Sequence, residues 1–250
     1  MRMSRVDEYR EKLKGLGTWD SYLLKESNLP GPRANLELAF AVAYEGSEEL
    51  FLKYTRITPD AVDSNSQEVF LPICGVIGLG YLAARGGSKH FDSLRKYASD
   101  PRWRIREAVA LGLQKFGEIA FDELFELMKT WSRGSLFERR AVVATLCEPA
   151  LLRDRGNAIK VIEILDDLTV SVQSEIDRRS DEFRVLRKAL GYGWSVVVAA
   201  QPERGKPRLE TWVKSKDKDI VWIMKNNLKK NRLIKLDPVW VETQLSLLRS

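Results

Sequence analysis

The sequence predicts an all-α chain, an α-solenoid of helix pairs, and three observations carry that expectation. First, four segments place a turn residue six positions ahead of a basic residue: Asp100 and Arg106, Gly134 and Arg140, Asp181 and Arg187, Asp219 and Lys225. Three of them add an aromatic residue three positions after the turn: Trp103, Phe137 and Trp222. Their turn positions lie 34, 47 and 38 residues apart, the interval of a two-helix repeat. Second, no alternating apolar–polar run is long enough for a strand; Val196–Ala200 is β-prone locally but continues a segment of helix length. Third, 250 residues with 44% hydrophobic content suffice for five or six helix pairs. One continuous domain over 1–250 is expected, with residues 1–30 as an N-terminal cap.

The elements follow in order. Leu36–Ala43 starts a helix after the Leu29-Pro30-Gly31-Pro32 turn, because proline cannot continue a preceding helix. Ser47–Tyr54 follows Gly46, and the polar stretch Thr58–Ser66 with Pro59 is a loop. Glu68–Ala84 is a packed helix whose Gly75, Gly78 and Gly80 imply close helix contact, ended by Gly86-Gly87. A short helix over Lys89–Tyr97 precedes Asp100-Pro101, which predicts a helix start with proline in the first turn. Trp103–Phe116 is the clearest repeat helix, with Trp103, Ala110 and Leu113 on one face and Arg106 placed to reach back to the preceding loop. Phe121–Trp131 pairs with it, and Phe137–Leu146 follows the break at Gly134. Asn157–Asp177 and Phe183–Ala200 are long amphipathic segments. Gln201–Pro207 is expected as a basic, turn-rich loop, and Leu209–Val213, Ile220–Leu228 and Val239–Leu248 close the chain. In each repeat the turn aspartate is expected to accept backbone N–H groups at the helix start, and the basic residue to bridge to a neighbouring turn.

The net charge of +6 is concentrated. Residues 201–236 contain 11 Lys or Arg and four acids, a local excess of +7, and the remainder of the chain sums to −1. Such a field attracts polyanions and releases their counterions, so nucleic acid is the expected partner, with a protein partner as the alternative. The other explanation is a solvated lysine face kept for solubility; Trp212 and Trp222 inside the stretch favour a ligand. Cys74 and Cys147 sit in apolar helical segments and are expected as buried residues in a reducing compartment. No apolar leader and no membrane span is evident, so a cytoplasmic location is expected. His90 is the single histidine, which argues against a zinc site or a hydrolytic triad, and no phosphate-binding glycine loop is present. Neither metal nor cofactor is expected.

The stretch SDPRWRIREAVALGLQKFG resembles a HEAT repeat, and more narrowly the repeats of bacterial DNA alkylation-repair glycosylases. FERRAVVATL and FRVLRKALGYGWSVVVAA are similar to the next repeats of that superfamily, and the resemblance covers about residues 88–235. NLPGPRANLEL, LPICGVIGLGYL, LCEPALL and LKKNRL resemble a further group of bacterial HEAT-repeat proteins without an established activity. The resemblance implies a positively charged concave groove for DNA, in which aromatic residues and a carboxylate help expel an alkylated base. Glu107, in an Arg-Glu-Ala sequence, is then the catalytic candidate. Ala144 and Val196 stand where one branch of that superfamily carries acids, so the resemblance also implies that two acidic positions are absent.

The expected function is a nucleic-acid binding module. Candidate phosphate contacts are Arg139, Arg140, Lys214, Lys216, Lys218, Lys225, Lys229, Lys230 and Arg232. Arg139 and Arg140 are adjacent, so one packs toward a neighbouring turn and the other projects. Trp103, Trp131, Trp194 and Trp222 are candidate stacking platforms, each with core packing as its alternative. The two other expected functions are a glycosylase using Glu107 and a protein-interaction scaffold.

Overall fold

The structure, a computed structural model, describes residues 3–248. The fold is all-α, with fifteen α-helices and no strand among the described residues. The chain divides into two compact units, one ending at Ala120 and the other beginning at Phe121.

The first unit contains α1 (Arg5–Lys14), α2 (Asp20–Lys25), α3 (Leu36–Glu45), α4 (Glu48–Thr55), α5 (Phe70–Ala83), α6 (Phe91–Tyr97) and α7 (Trp103–Gly117). No charged residue interrupts α5, and nearly all of its side chains are buried. A helix apolar on every side belongs at the centre of a core, and α2, α3, α4, α6 and α7 all pack against it. Its contact with α7 is close because Gly80 faces Gly112. A Cβ on Gly80 would lie 2.5 Å from the Gly112 Cα. Residues 3–30 contain α1, packed on α3, and α2, packed on α5. Thr58–Ser66 is a loop as expected.

The second unit contains α8 (Phe121–Trp131), α9 (Leu136–Leu146), α10 (Arg155–Gln173), α11 (Asp181–Ala200), α12 (Pro202–Val213), α13 (Lys218–Leu228), α14 (Asn231–Leu236) and α15 (Pro238–Leu247). Here α11 is the hub, in contact with α9, α10, α12, α13 and α14. Asn227 of α13 is buried and ties the two helices together. Its amide donates to the Leu190 carbonyl at 2.8 Å and accepts from the Ser195 N–H at 2.8 Å.

The structure corrects three expectations. Gln201–Pro207 is not a loop: α12 runs through it, with Pro202 in the first turn and Pro207 inside. Pro207 forfeits one backbone bond, but Leu209 and Val213 are buried, and Gly205 lets the helix approach α11 to the point where a Cβ would meet Val198 Cα at 2.8 Å. Pro101 precedes rather than begins α7, whose N-cap is Arg102. The turn aspartates are displaced from the cap positions. Ser180 caps α11 through the Phe183 N–H, and Asp217 caps α13 through the Asp219 and Ile220 N–H groups. Asp181 and Asp219 already lie within the helices, because a capping residue stands one or two positions earlier.

Candidate polyanion-binding surface

Several of the repeat cations are used inside the fold. Arg106 is buried and donates to the Asp100 carbonyl at 2.6 Å and the Pro101 carbonyl at 3.0 Å, closing its own turn. Arg102 forms a two-pronged pair with Asp100, at 2.9 Å on each oxygen, and donates to the Ile57 carbonyl at 2.9 Å. Arg104 donates to the carbonyls of Ser64 and Gly31, at 2.7 and 2.6 Å. These arginines fasten two loops to the start of α7. In the second unit Arg187 donates to Asp219 at 2.5 Å, the bridge to a neighbouring turn that the spacing predicts. Lys225 does not follow that pattern; it is exposed and makes no ion pair among the described residues.

The basic region separates its charges. Its acids are engaged: Asp217 accepts from Arg178 at 2.8 Å, Asp219 from Arg178 at 3.1 Å and from Arg187, and Glu210 from the Trp240 indole at 2.7 Å. Burial works against the charge on Asp217, but Arg178 and two backbone N–H donors outweigh it, so its carboxyl is held below the usual range. Of these four acids Glu203 alone is exposed without an ion pair among the described residues. Lys206 and Arg208 pair with Asp237 and Asp166, at 2.7 and 3.3 Å. Lys214, Lys216, Lys218, Lys225, Lys229 and Arg232 are exposed, Lys230 is half-buried, and none makes an ion pair among the described residues.

Geometry aligns part of this set. Lys218 and Lys225 of α13 and Lys229, the residue that follows its last turn, stand at i, i+7 and i+11, one row along one face, with Trp222 at i+4. The opposite face buries Ile220, Ile223, Met224, Asn227 and Leu228. At about 1.5 Å rise per residue the lysines are spaced roughly 10 and 6 Å apart along the helix. Lys214 and Lys216 lie at and just after the end of α12, ahead of the same helix. Lys230 and Arg232 leave the row and line a cleft with Arg153, a residue for which the sequence offered no signal.

Two stacking candidates fail on burial. Trp131 and Trp194 are 1% and 0% exposed, and the Trp194 indole donates to Thr169 Oγ1 at 3.0 Å, so both are core residues. Trp222 is half-buried beneath the Arg187 guanidinium, 4.4 Å from its ring centre. Trp103 is 43% exposed rather than on the core face with Ala110 and Leu113; it stands on the side of α7 that carries the half-buried Glu107, Leu111 and Gln114, whereas its neighbours Arg102, Arg104 and Ile105 are buried. Arg104 lies 4.3 Å from its ring centre. Trp103 and Glu107 share a cavity of about 420 Å³ with Arg33, Glu37, Leu36 and Leu111, all in the first unit. Ala144 and Val196 are buried apolar residues. Arg139 and Arg140 are both half-buried, and Arg140 is engaged within the fold.

His90 is buried, with Nε2 3.6 Å from Glu48, and its desolvation depresses the imidazole pKa. Burial raises the thiol pKa of both Cys74 and Cys147. Among the described residues no His/Cys/Asp/Glu group could hold a metal ion, and no helix is long and apolar enough to cross a membrane. No protein-family model matches the chain, and no curated protein matches it significantly.

Proposed function

We propose that the protein is a nucleic-acid binding module of the HEAT-repeat kind, engaging phosphates through the second unit. The observation that carries this reading is the sorting of charge in residues 201–236. Three of its four acids are held by arginines or an indole, whereas Lys214, Lys216, Lys218, Lys225 and Lys229 are exposed without a carboxylate partner among the described residues. A face kept for solubility would intersperse both signs. Phosphate contacts of this type position a ligand without reading its sequence. The test is binding of a fluorescent DNA duplex across a salt series. Affinity is expected to fall steeply and log-linearly with salt, by about 0.9 log units per log of salt for each phosphate neutralised. Flat salt dependence, or no binding at low salt, would remove this reading and leave a protein-interaction scaffold as the working function.

A second reading is favoured by the cavity that joins Trp103 to Glu107. An aromatic face beside a carboxylate suits a cationic base, as in a glycosylase acting on alkylated DNA. Glu107→Gln should then abolish base release while leaving duplex binding intact; unchanged release would take Glu107 out of the mechanism.

A further inference from the structure

The cleft lined by Arg153, Lys230 and Arg232 is separate in composition from the lysine row on α13. It measures about 690 Å³, within the range of small-molecule sites. Val196, Ala199 and Ala200, at the end of α11, line it with short apolar side chains. Its cations come from two connections distant in sequence: Arg153 from the stretch between α9 and α10, Lys230 and Arg232 from the junction of α13 and α14. Helical periodicity alone does not bring such residues together; the fold does. No carboxylate lines the cleft, and none of the three cations makes an ion pair among the described residues.

A concave apolar lining with uncompensated cations selects an anion that carries an apolar body. Three cations, two of them guanidinium forks, match a doubly charged phosphate better than a carboxylate. A cationic ligand is disfavoured, because nothing in the lining would offset its charge.

We propose that this cleft is a binding site for a small phosphate monoester, with the phosphate between Arg153, Lys230 and Arg232 and its apolar body on Val196, Ala199 and Ala200. The site does not depend on the nucleic-acid reading, since the lysine row is not part of it. Phenyl phosphate is the probe, titrated calorimetrically into the full chain at low salt beside inorganic phosphate, benzoate and phenol. Phenyl phosphate is expected to bind at least tenfold more tightly than each of the other three. Arg153→Ala and Arg232→Ala should each weaken it at least tenfold, whereas the double variant Lys225→Ala/Lys229→Ala should leave it within twofold. Both arginines are exposed, so folding should survive their loss, which circular dichroism checks. Ala199→Phe should weaken phenyl phosphate and spare inorganic phosphate. Equal binding of phenyl and inorganic phosphate, equal binding of benzoate, or indifference to both arginine substitutions would overturn the proposal. Failure of duplex binding with phenyl phosphate binding retained would sink only the nucleic-acid reading.

Discussion

Asp100 and Arg102 form a buried ion pair, 8% and 4% exposed, and the pair explains why a Ser-Asp-Pro-Arg sequence precedes α7. Both carboxylate oxygens accept from the guanidinium, and its remaining nitrogen reaches the loop before α5. Removing one partner strands a buried charge, which costs about 3–5 kcal/mol. Arg102→Ala is therefore expected to lower the urea midpoint by that equivalent, and a loss below about 1 kcal/mol would mean that water replaces the guanidinium. The spacing of Asp100 and Arg106 was legible in the sequence; the partner was not. The guanidinium of Arg106 takes the turn carbonyls, and that of Arg102, which belongs to no repeat pattern, takes the carboxylate. His90 sets a second residue-scale expectation. Burial depresses its pKa, Glu48 opposes that shift, and Lys89 reinforces it, with a net fall below 6.5. The unfolded chain then binds the proton more readily than the folded one. This contribution is present in full above pH 6.5 and is lost as pH falls through that value toward the folded pKa. Urea midpoints measured from pH 7.5 to 5 should fall for the native chain and flatten in a His90→Asn variant; parallel curves would assign the acid sensitivity elsewhere.

At the scale of elements, the packing of each unit turns on one central helix and a close contact to it. In the first unit Gly80 and Gly112 let α5 and α7 touch backbone to backbone. Gly80→Ala forces them apart and is expected to cost about 1–3 kcal/mol, despite the better helix propensity of alanine. A stabilised variant would show that the contact can relax. In the second unit Asn227→Ala would remove the side-chain bonds to the Leu190 carbonyl and the Ser195 N–H. The expected loss is about 1–3 kcal/mol, as each hydrogen bond contributes roughly 0.5–1.5 kcal/mol. Helices such as Trp103–Phe116 and Phe121–Trp131 were legible because apolar periodicity and flanking breakers agree. Residues 201–207 were not, because proline, glycine and charge all signal a turn. The helix exists for a tertiary reason, the fit of Gly205 against Val198. The cleft escaped sequence reading for a related cause: Arg153 is about eighty residues from Arg232, and only the packing of α9, α11 and α14 relates them.

At the scale of the whole molecule, the decisive property is where the charge resides. The chain carries +6 in total, yet residues outside 201–236 sum to −1, so the field acting on a polyanion originates in one stretch. The fold sharpens that asymmetry by spending Asp217 and Asp219 on Arg178 and Arg187. Net charge and local field then make different predictions. Replacing Lys218, Lys225 and Lys229 with Gln removes three charges from one row. Replacing Lys12, Lys25 and Lys96, exposed lysines of the first unit, removes the same three from the total. If binding follows the local row, the first triple variant should lose affinity for duplex DNA by more than tenfold at moderate salt. Its salt slope should shrink by about 2.7, given roughly 0.9 per phosphate contact. The second triple variant should stay within about twofold of the native chain, because none of its three lysines belongs to the row on α13. Equal losses in the two variants would assign binding to overall charge and dissolve the case for a built surface on α13. A smaller slope change with a large affinity loss would mean that the lysines act on the fold rather than on phosphates, which a parallel measurement of thermal stability would reveal.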